Sequence, residues 1–137
     1  MNILSKNIKW FMVIAGLLTC TMLEAVFDPE MAVGNLFGEQ LQGPLANMIV
    51  RSWGVLITLI GLMLIYGAFN STNRKFAAVI AATGKLVYAG LVISLGEPYL
   101  NNAALVVGFD MVVGFDMVVA IILFIYVFTS RDQVKPV

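Results

Sequence analysis

Four long apolar stretches constrain this chain more than any other feature of its sequence. They run from about 8 to 27, 45 to 69, 76 to 96 and 103 to 129. A helix of about 20 apolar residues crosses a bilayer, and each stretch reaches that length. Backbone hydrogen bonds must be satisfied within the hydrocarbon, and four segments are too few to close a barrel. We therefore predict an all-α fold, an integral membrane four-helix bundle.

The composition excludes several classes of protein. Of the 137 residues, 61% are hydrophobic and 12% are charged, whereas soluble domains carry about 25% charged residues. Eight basic and eight acidic residues cancel, so no net positive field would gather nucleic acid. The sequence has no histidine, and Cys20 is its one cysteine, so the common metal sites are not expected. We predict a single transmembrane domain over 1–137 with no metal, cofactor or nucleic-acid partner.

The connections between the stretches predict how the helices pack. NSTNRK separates the second stretch from the third, and EPYLNN separates the third from the fourth. Connections this short make successive helices antiparallel neighbours. The longer first connection contains Asp28, Pro29 and Gly38, which suit the cap, the first position and the end of a helix. We predict a short helix here, lying on the membrane surface, with an ordered loop as the alternative.

The basic residues predict the orientation, because Lys and Arg in short loops face the cytoplasm. The N-terminal segment, the second connection and the C-terminal segment carry six of them: Lys6, Lys9, Arg74, Lys75, Arg131 and Lys135. The other two loops carry only acids: Asp28, Glu30, Glu39 and Glu97. We predict that both termini are cytoplasmic. We also expect the first span to be retained, because no small-x-small cleavage site follows it.

Five ionisable residues lie within the predicted spans: Glu24, Arg51, Lys85, Asp110 and Asp116. Each would cost about 2.5 to 3.5 kcal/mol at the centre of an isolated inserted helix. We therefore expect them to pair, as Glu24 with Arg51 and as either cation with an aspartate. Their depths along the helices place all five in the outer half of the bundle or at its midplane.

Small or polar residues share a helix face with three of these charges, which favours close packing of those faces. The neighbours of Lys85 are Ala81, Ala82 and Ala89, those of Arg51 are Asn47, Gly54, Thr58 and Gly61, and those of Glu24 are Gly16, Cys20 and Thr21. We predict that these three faces point into the bundle.

The last stretch contains a direct repeat, GFDMVV, at 108 to 119. Six residues turn a helix by about 600°, so Asp110 and Asp116 point about 120° apart and cannot share a face. The stretch would be about 40 Å long against a hydrocarbon core of about 30 Å. We expect its first turns to project from the outer surface, with Asp110 near the interface and Asp116 deeper. A recent duplication without function is the alternative.

The charged cluster has two interpretations. It is a salt-bridge network that fixes the order of the helices, or it lines a small polar cavity, open to the outer side, that binds a ligand or conducts protons. Lys85 is the strongest candidate for a residue that contacts a ligand. Tyr88, one turn further along the chain, either adds a hydroxyl to this site or packs in the core. The sequence assigns no catalytic residue.

The segments "DPEMAVGNLFG" and "NMIVRSWGVLITLIGLMLIYG", followed by two more spans of which the last bears an acid, resemble the DoxX-like small four-helix membrane proteins of bacteria. The resemblance is to a branch of unknown function, and either Asp110 or Asp116 matches its acid. It implies a four-helix fold and a multi-pass location in the bacterial inner membrane, with no established catalytic residues. Some relatives are described as subunits of membrane redox systems, which would imply a quinone or a partner protein.

The sequence is compatible with three functions. The first is a small membrane binding or accessory protein, which contacts a ligand, a membrane protein partner or a second copy of itself. The second is a small-molecule or proton-linked transporter that uses Arg51, Lys85 and the aspartates. The third is a membrane enzyme with Asp116 and Lys85 as acid and base, but no nucleophile, phosphate or cofactor motif supports catalysis. We favour the first.

Overall fold

The computed structural model describes the backbone over residues 3–95 and 103–130 and the side chains over 7–95 and 112–130. These residues form helices and no strand. The helices are α1 (Ile3–Cys20), α2 (Glu24–Phe27), α3 (Pro29–Phe37), α4 (Gly43–Phe69), α5 (Arg74–Leu95) and α6 (Ala103–Thr129).

Four spans are long and apolar enough to cross a membrane, which confirms the predicted all-α bundle. The first is Asn7–Phe27, where a single 3-10 turn, Thr21–Leu23, joins α1 to α2. The others lie in α4, α5 and α6. The connection predicted between α5 and α6 lies outside the described residues.

The short helix predicted in the first connection is present as α3. The Asp28 side chain accepts a hydrogen bond from the backbone N–H of Met31 at 3.0 Å, and Pro29 is the first helical residue. Gly38 ends the helix in the left-handed conformation, with φ of 66°, which glycine adopts without steric cost. Helix α3 packs against α2, α4 and α6. It therefore crosses one end of the bundle, which we name the α3 end.

The opposite end, where α4 turns into α5, is named the hairpin end. Arg74 donates hydrogen bonds to the carbonyl groups of Gly67 and Ala68 in the last turn of α4, at 3.2 and 2.9 Å. Lys75 donates to the carbonyl of Ser130, just after α6, at 2.7 Å. Cations at helix C-termini satisfy free carbonyl groups and the helix dipole, so these two basic residues also anchor the ends of two helices.

Antiparallel packing of α1 on α4 is close enough for their backbones to touch. A Cβ atom added at Gly61 would lie 2.7 Å from the carbonyl oxygen of Gly16. Further along the same contact, the Cys20 thiol lies 3.7 Å from the Thr58 carbonyl oxygen, and Gly54 meets Ala25. The faces of small and polar residues that were predicted on α1 and α4 therefore pack against each other.

The densest part of the core lies in the half of the bundle nearer the hairpin end. Its largest fully buried side chains are Ile8, Met12, Leu64, Val119 and Leu123. Small residues of α5 complete it: Ala77, Ala78, Ala81 and Ala82. Over their whole lengths, α1 packs mainly on α4 and α5 mainly on α6, with little contact between α1 and α6. This arrangement leaves space inside the bundle beneath α3.

Candidate functional site

An ion pair joins α5 to α6 inside the bundle. The Lys85 ammonium group donates a hydrogen bond to the Asp116 carboxylate, and the two side chains are only 8% and 12% exposed. The Lys85 Nζ atom also lies 5.1 Å from the centre of the Phe115 ring. The expected pairing of Lys85 with an aspartate is therefore present, and Asp116 is the aspartate that faces the interior. The side chain of Asp110 lies outside the described residues.

The packing of small residues around Lys85 explains how a lysine is held here. Ala81, Ala82 and Ala89, on the same face of α5, are all buried. Their short side chains let α6 approach closely, so the ammonium group reaches Asp116 without leaving the interior. An ion pair in an apolar medium needs such direct contact, because attraction must offset the loss of hydration.

Arg51 makes no contact with the Lys85–Asp116 pair, and the prediction that Arg51 pairs with Glu24 is wrong. Both side chains are exposed and form no ion pair with each other. Arg51 instead donates hydrogen bonds to Asn47 Oδ1, at 2.8 Å, and to the backbone carbonyl of Val26. The reason is the close packing of Gly54 against Ala25 and Val26. This contact sets α2 so that a carbonyl from its last turn, rather than the Glu24 carboxylate, meets the guanidinium group.

A cavity of about 640 Å³ lies beneath α3 and beside the Lys85–Asp116 pair. This volume is within the range of about 300 to 1,000 Å³ typical of small-molecule sites. Four of the predicted site residues line it: Glu24, Lys85, Tyr88 and Asp116. Arg51 does not. The expected cavity is thus present, but its wall is mainly apolar rather than polar.

Every helical span contributes to the wall. Besides the four predicted residues, it contains Leu18, Thr19, Thr21, Met22, Ala32, Asn35, Leu36, Trp53, Leu56, Ile57, Ile60, Gly84, Val112 and Phe115. Helix α3 covers the cavity through Ala32, Asn35 and Leu36. Because Leu18 and Leu56 line the cavity and are also half-exposed, the cavity reaches the outer surface of the bundle, where lipid would lie.

Sequence reasoning missed the aromatic part of this wall. The Trp53 ring lies 6.4 Å from the Tyr88 ring and 6.5 Å from the Phe37 ring, measured between centroids. This row of rings links α3, α4 and α5 across the α3 end. Phe115 adds a fourth ring beside the ion pair. Its position next to Asp116 in the sequence was an available signal, but nothing in the sequence indicated the approach of Trp53 to Tyr88.

Comparison of the chain with known protein families, with curated proteins and with solved structures found no match in any of the three. The resemblance to DoxX-like proteins therefore stays a prediction. Among the described residues, no group of three or more metal-ligating side chains comes together. The chemistry of the site is then that of an apolar cavity with an ion pair, a phenol and a carboxylate in its wall.

Proposed function

We propose that this small multi-pass membrane protein binds a small amphipathic molecule in the cavity beneath α3. The observation that carries the proposal is the position of the Lys85–Asp116 pair in the wall of a mainly apolar cavity of about 640 Å³. A pair that served only to fix helix order would be enclosed by packed side chains. This one adjoins space of the size that ligands occupy.

The wall suits a molecule with an apolar body and a polar group. Apolar side chains from all spans provide favourable contact for the body. The polar side chains of Tyr88, Asn35 and the ion pair lie in the same wall and provide a few directed hydrogen bonds. Sites of this composition fix ligand orientation with few polar contacts and gain affinity from apolar burial.

A blocking variant tests the binding proposal. A Cβ atom added at Gly84 would meet only the Ile60 Cδ1 atom, at 3.6 Å, so a larger side chain there extends into the cavity without a backbone clash. We expect Gly84→Phe to weaken binding of a neutral amphipathic dye at least tenfold, because the ring occupies the space of the ligand. Binding is measured in detergent as energy transfer from Trp53, in a Trp10→Phe background that leaves one tryptophan.

The matched control is Gly90→Phe on the same helix. Gly90 is exposed, and nothing lies within 4 Å of a Cβ atom added there. This variant should bind the dye as the parent protein does. Saturable binding of the dye that is equal in the two glycine variants would contradict the proposal.

Proton-linked transport is a second candidate, favoured by the contact of an ionisable pair with the cavity. It requires that Lys85 and Asp116 exchange protons or partners during a cycle. We expect a Lys85→Met/Asp116→Leu double variant to abolish pH-dependent flux in proteoliposomes that contain a trapped pH-sensitive dye. Flux that persists in this variant would exclude the pair from transport, and a parent protein without pH-dependent flux would leave binding alone as the function.

We further propose that the α3 end faces away from the cytoplasm, in a bacterial inner membrane. The positive-inside rule supports this orientation. Lys9, Arg74 and Lys75 lie at the hairpin end, whereas Asp28, Glu30 and Glu39 lie at the α3 end. Arg131, Lys135 and Glu97 lie outside the described residues. In this orientation the cavity occupies the outer half of the membrane, and its lateral edge is in contact with the outer leaflet.

A further inference from the structure

We infer that the ligand of this cavity is a lipophilic cation, an organic molecule that joins an apolar body to a quaternary or protonated centre. The inference rests on the proposed binding function and names the chemical class of the ligand. It is carried by the net charge of the wall, the charge of the α3 end and the aromatic rings beside them.

Among the residues that the structure describes, the wall of the cavity carries one negative charge in excess. Its ionisable groups with opposite charge, Lys85 and Asp116, neutralise each other by direct contact. Glu24, the third ionised group, is exposed and has no ion-pair partner among the described residues. A carboxylate in the wall of an apolar cavity favours a cation over an anion, and an apolar body on that cation adds favourable burial.

The surroundings reinforce this charge. In the sequence, no basic residue lies between Lys85 and Arg131, and Arg51 is the single basic residue between Lys9 and Arg74. Arg51 lines no part of the cavity, and its guanidinium group is bonded to Asn47 and to the Val26 carbonyl. The α3 end thus presents Glu24, Asp28, Glu30 and Glu39 with little compensation. Such a potential concentrates cations at the α3 end and repels anions.

The aromatic side chains supply the second half of the recognition. Trp53, Tyr88 and Phe115 all line the cavity. Ring faces attract organic cations, with tryptophan the strongest of the three, and the attraction grows when water is excluded. The 5.1 Å approach of the Lys85 Nζ atom to the Phe115 ring shows that a cation is already accommodated against one ring here.

A lipophilic anion is disfavoured by the same groups. The single cation in the wall, Lys85, is already paired with Asp116 and buried. An anion could form an ion pair with Lys85 only by displacing Asp116. This displacement would leave the Asp116 carboxylate unpaired in an apolar environment. Glu24, in the same wall, would repel the anion as well.

Two ions of the same shape and opposite charge test the inference. Tetraphenylphosphonium and tetraphenylborate are titrated into the full-length protein in a neutral detergent, with equilibrium dialysis as the readout. We expect the cation to bind at least tenfold more tightly than the anion. We expect Glu24→Gln to weaken cation binding about three- to tenfold, because it removes the excess charge in the wall, whereas Glu39→Gln, which leaves the wall unchanged, should weaken it less. Glu24 is exposed, so its variant should fold.

The outcomes separate this inference from the proposed function. Equal or tighter binding of the anion, or cation binding that is unaffected by Glu24→Gln, would overturn the inference. If that binding is still lost in Gly84→Phe, the cavity remains a binding site and only the ligand class is wrong. If neither ion nor the neutral dye binds in a way that Gly84→Phe prevents, the proposed function fails with it.

Discussion

An Asp116→Ala variant is expected to lose about 3 to 5 kcal/mol of stability against unfolding in detergent, the cost typical of removing one partner of a buried ion pair. The Lys85 side chain, only 8% exposed in the parent protein, would be left without its carboxylate partner. The ammonium group would then lie unpaired in an apolar environment, or the helices would have to separate and admit water. Either event weakens the contact between α5 and α6.

Reversible unfolding in mixed micelles, followed by circular dichroism, measures this loss. The Lys85→Met/Asp116→Leu double variant should return to within about 1 kcal/mol of the parent protein, because apolar residues of similar size commonly replace a buried pair without loss. Glu39→Gln, an exposed change, should be neutral. A stability of Asp116→Ala equal to that of the parent protein would show that the pair contributes nothing to the fold.

Replacement of Gly61 by alanine should destabilise the bundle by about 1 to 3 kcal/mol, the range for overpacked interiors. The added Cβ atom would lie 2.7 Å from the Gly16 carbonyl oxygen and 3.0 Å from the Cys20 backbone nitrogen. Backbone atoms cannot rotate away as a flexible side chain can, so α1 and α4 must move apart along their whole contact.

Gly90→Ala is the matched control for this change. Nothing lies within 4 Å of the added atom at Gly90, and alanine is favoured over glycine in a helix by about 1 kcal/mol. The same unfolding measurement should therefore show no loss for Gly90→Ala. Equal stability of the two alanine variants would show that close approach of α1 and α4 is not required.

Most of the fold could be predicted because its causes are local. Continuous apolar composition defines the spans, and the two-residue signal of Asp28 and Pro29, with Gly38 at the other end, defines α3. These features act within one helix turn or one span, so they can be identified in the sequence. The small faces around Gly61 and Lys85 were also predictable, since helical spacing alone shows which residues share a face.

The site was predictable only in part, because it depends on how the helices are rotated against one another. The general cost of charge in hydrocarbon was enough to indicate a pair such as Lys85 with an aspartate. It could not exclude Arg51 from the cluster, because backbone carbonyl groups are also partners for a guanidinium group. Whether Val26 or Glu24 meets Arg51 depends on the fit of Gly54 against α2. Trp53 was missed for the same reason, since its neighbour Tyr88 lies on another helix.

A distance measurement in a lipid bilayer can show whether Lys85 and Asp116 form an ion pair inside the bundle. Solid-state NMR on protein labelled with ¹⁵N in lysine and ¹³C in aspartate can detect the dipolar coupling between the Lys85 Nζ and Asp116 Cγ atoms. Spectra of Lys85→Met and of Asp116→Asn provide the assignment. We expect a strong coupling, typical of a hydrogen-bonded ion pair, that disappears in either variant. A folded parent protein with no such coupling would contradict this expectation.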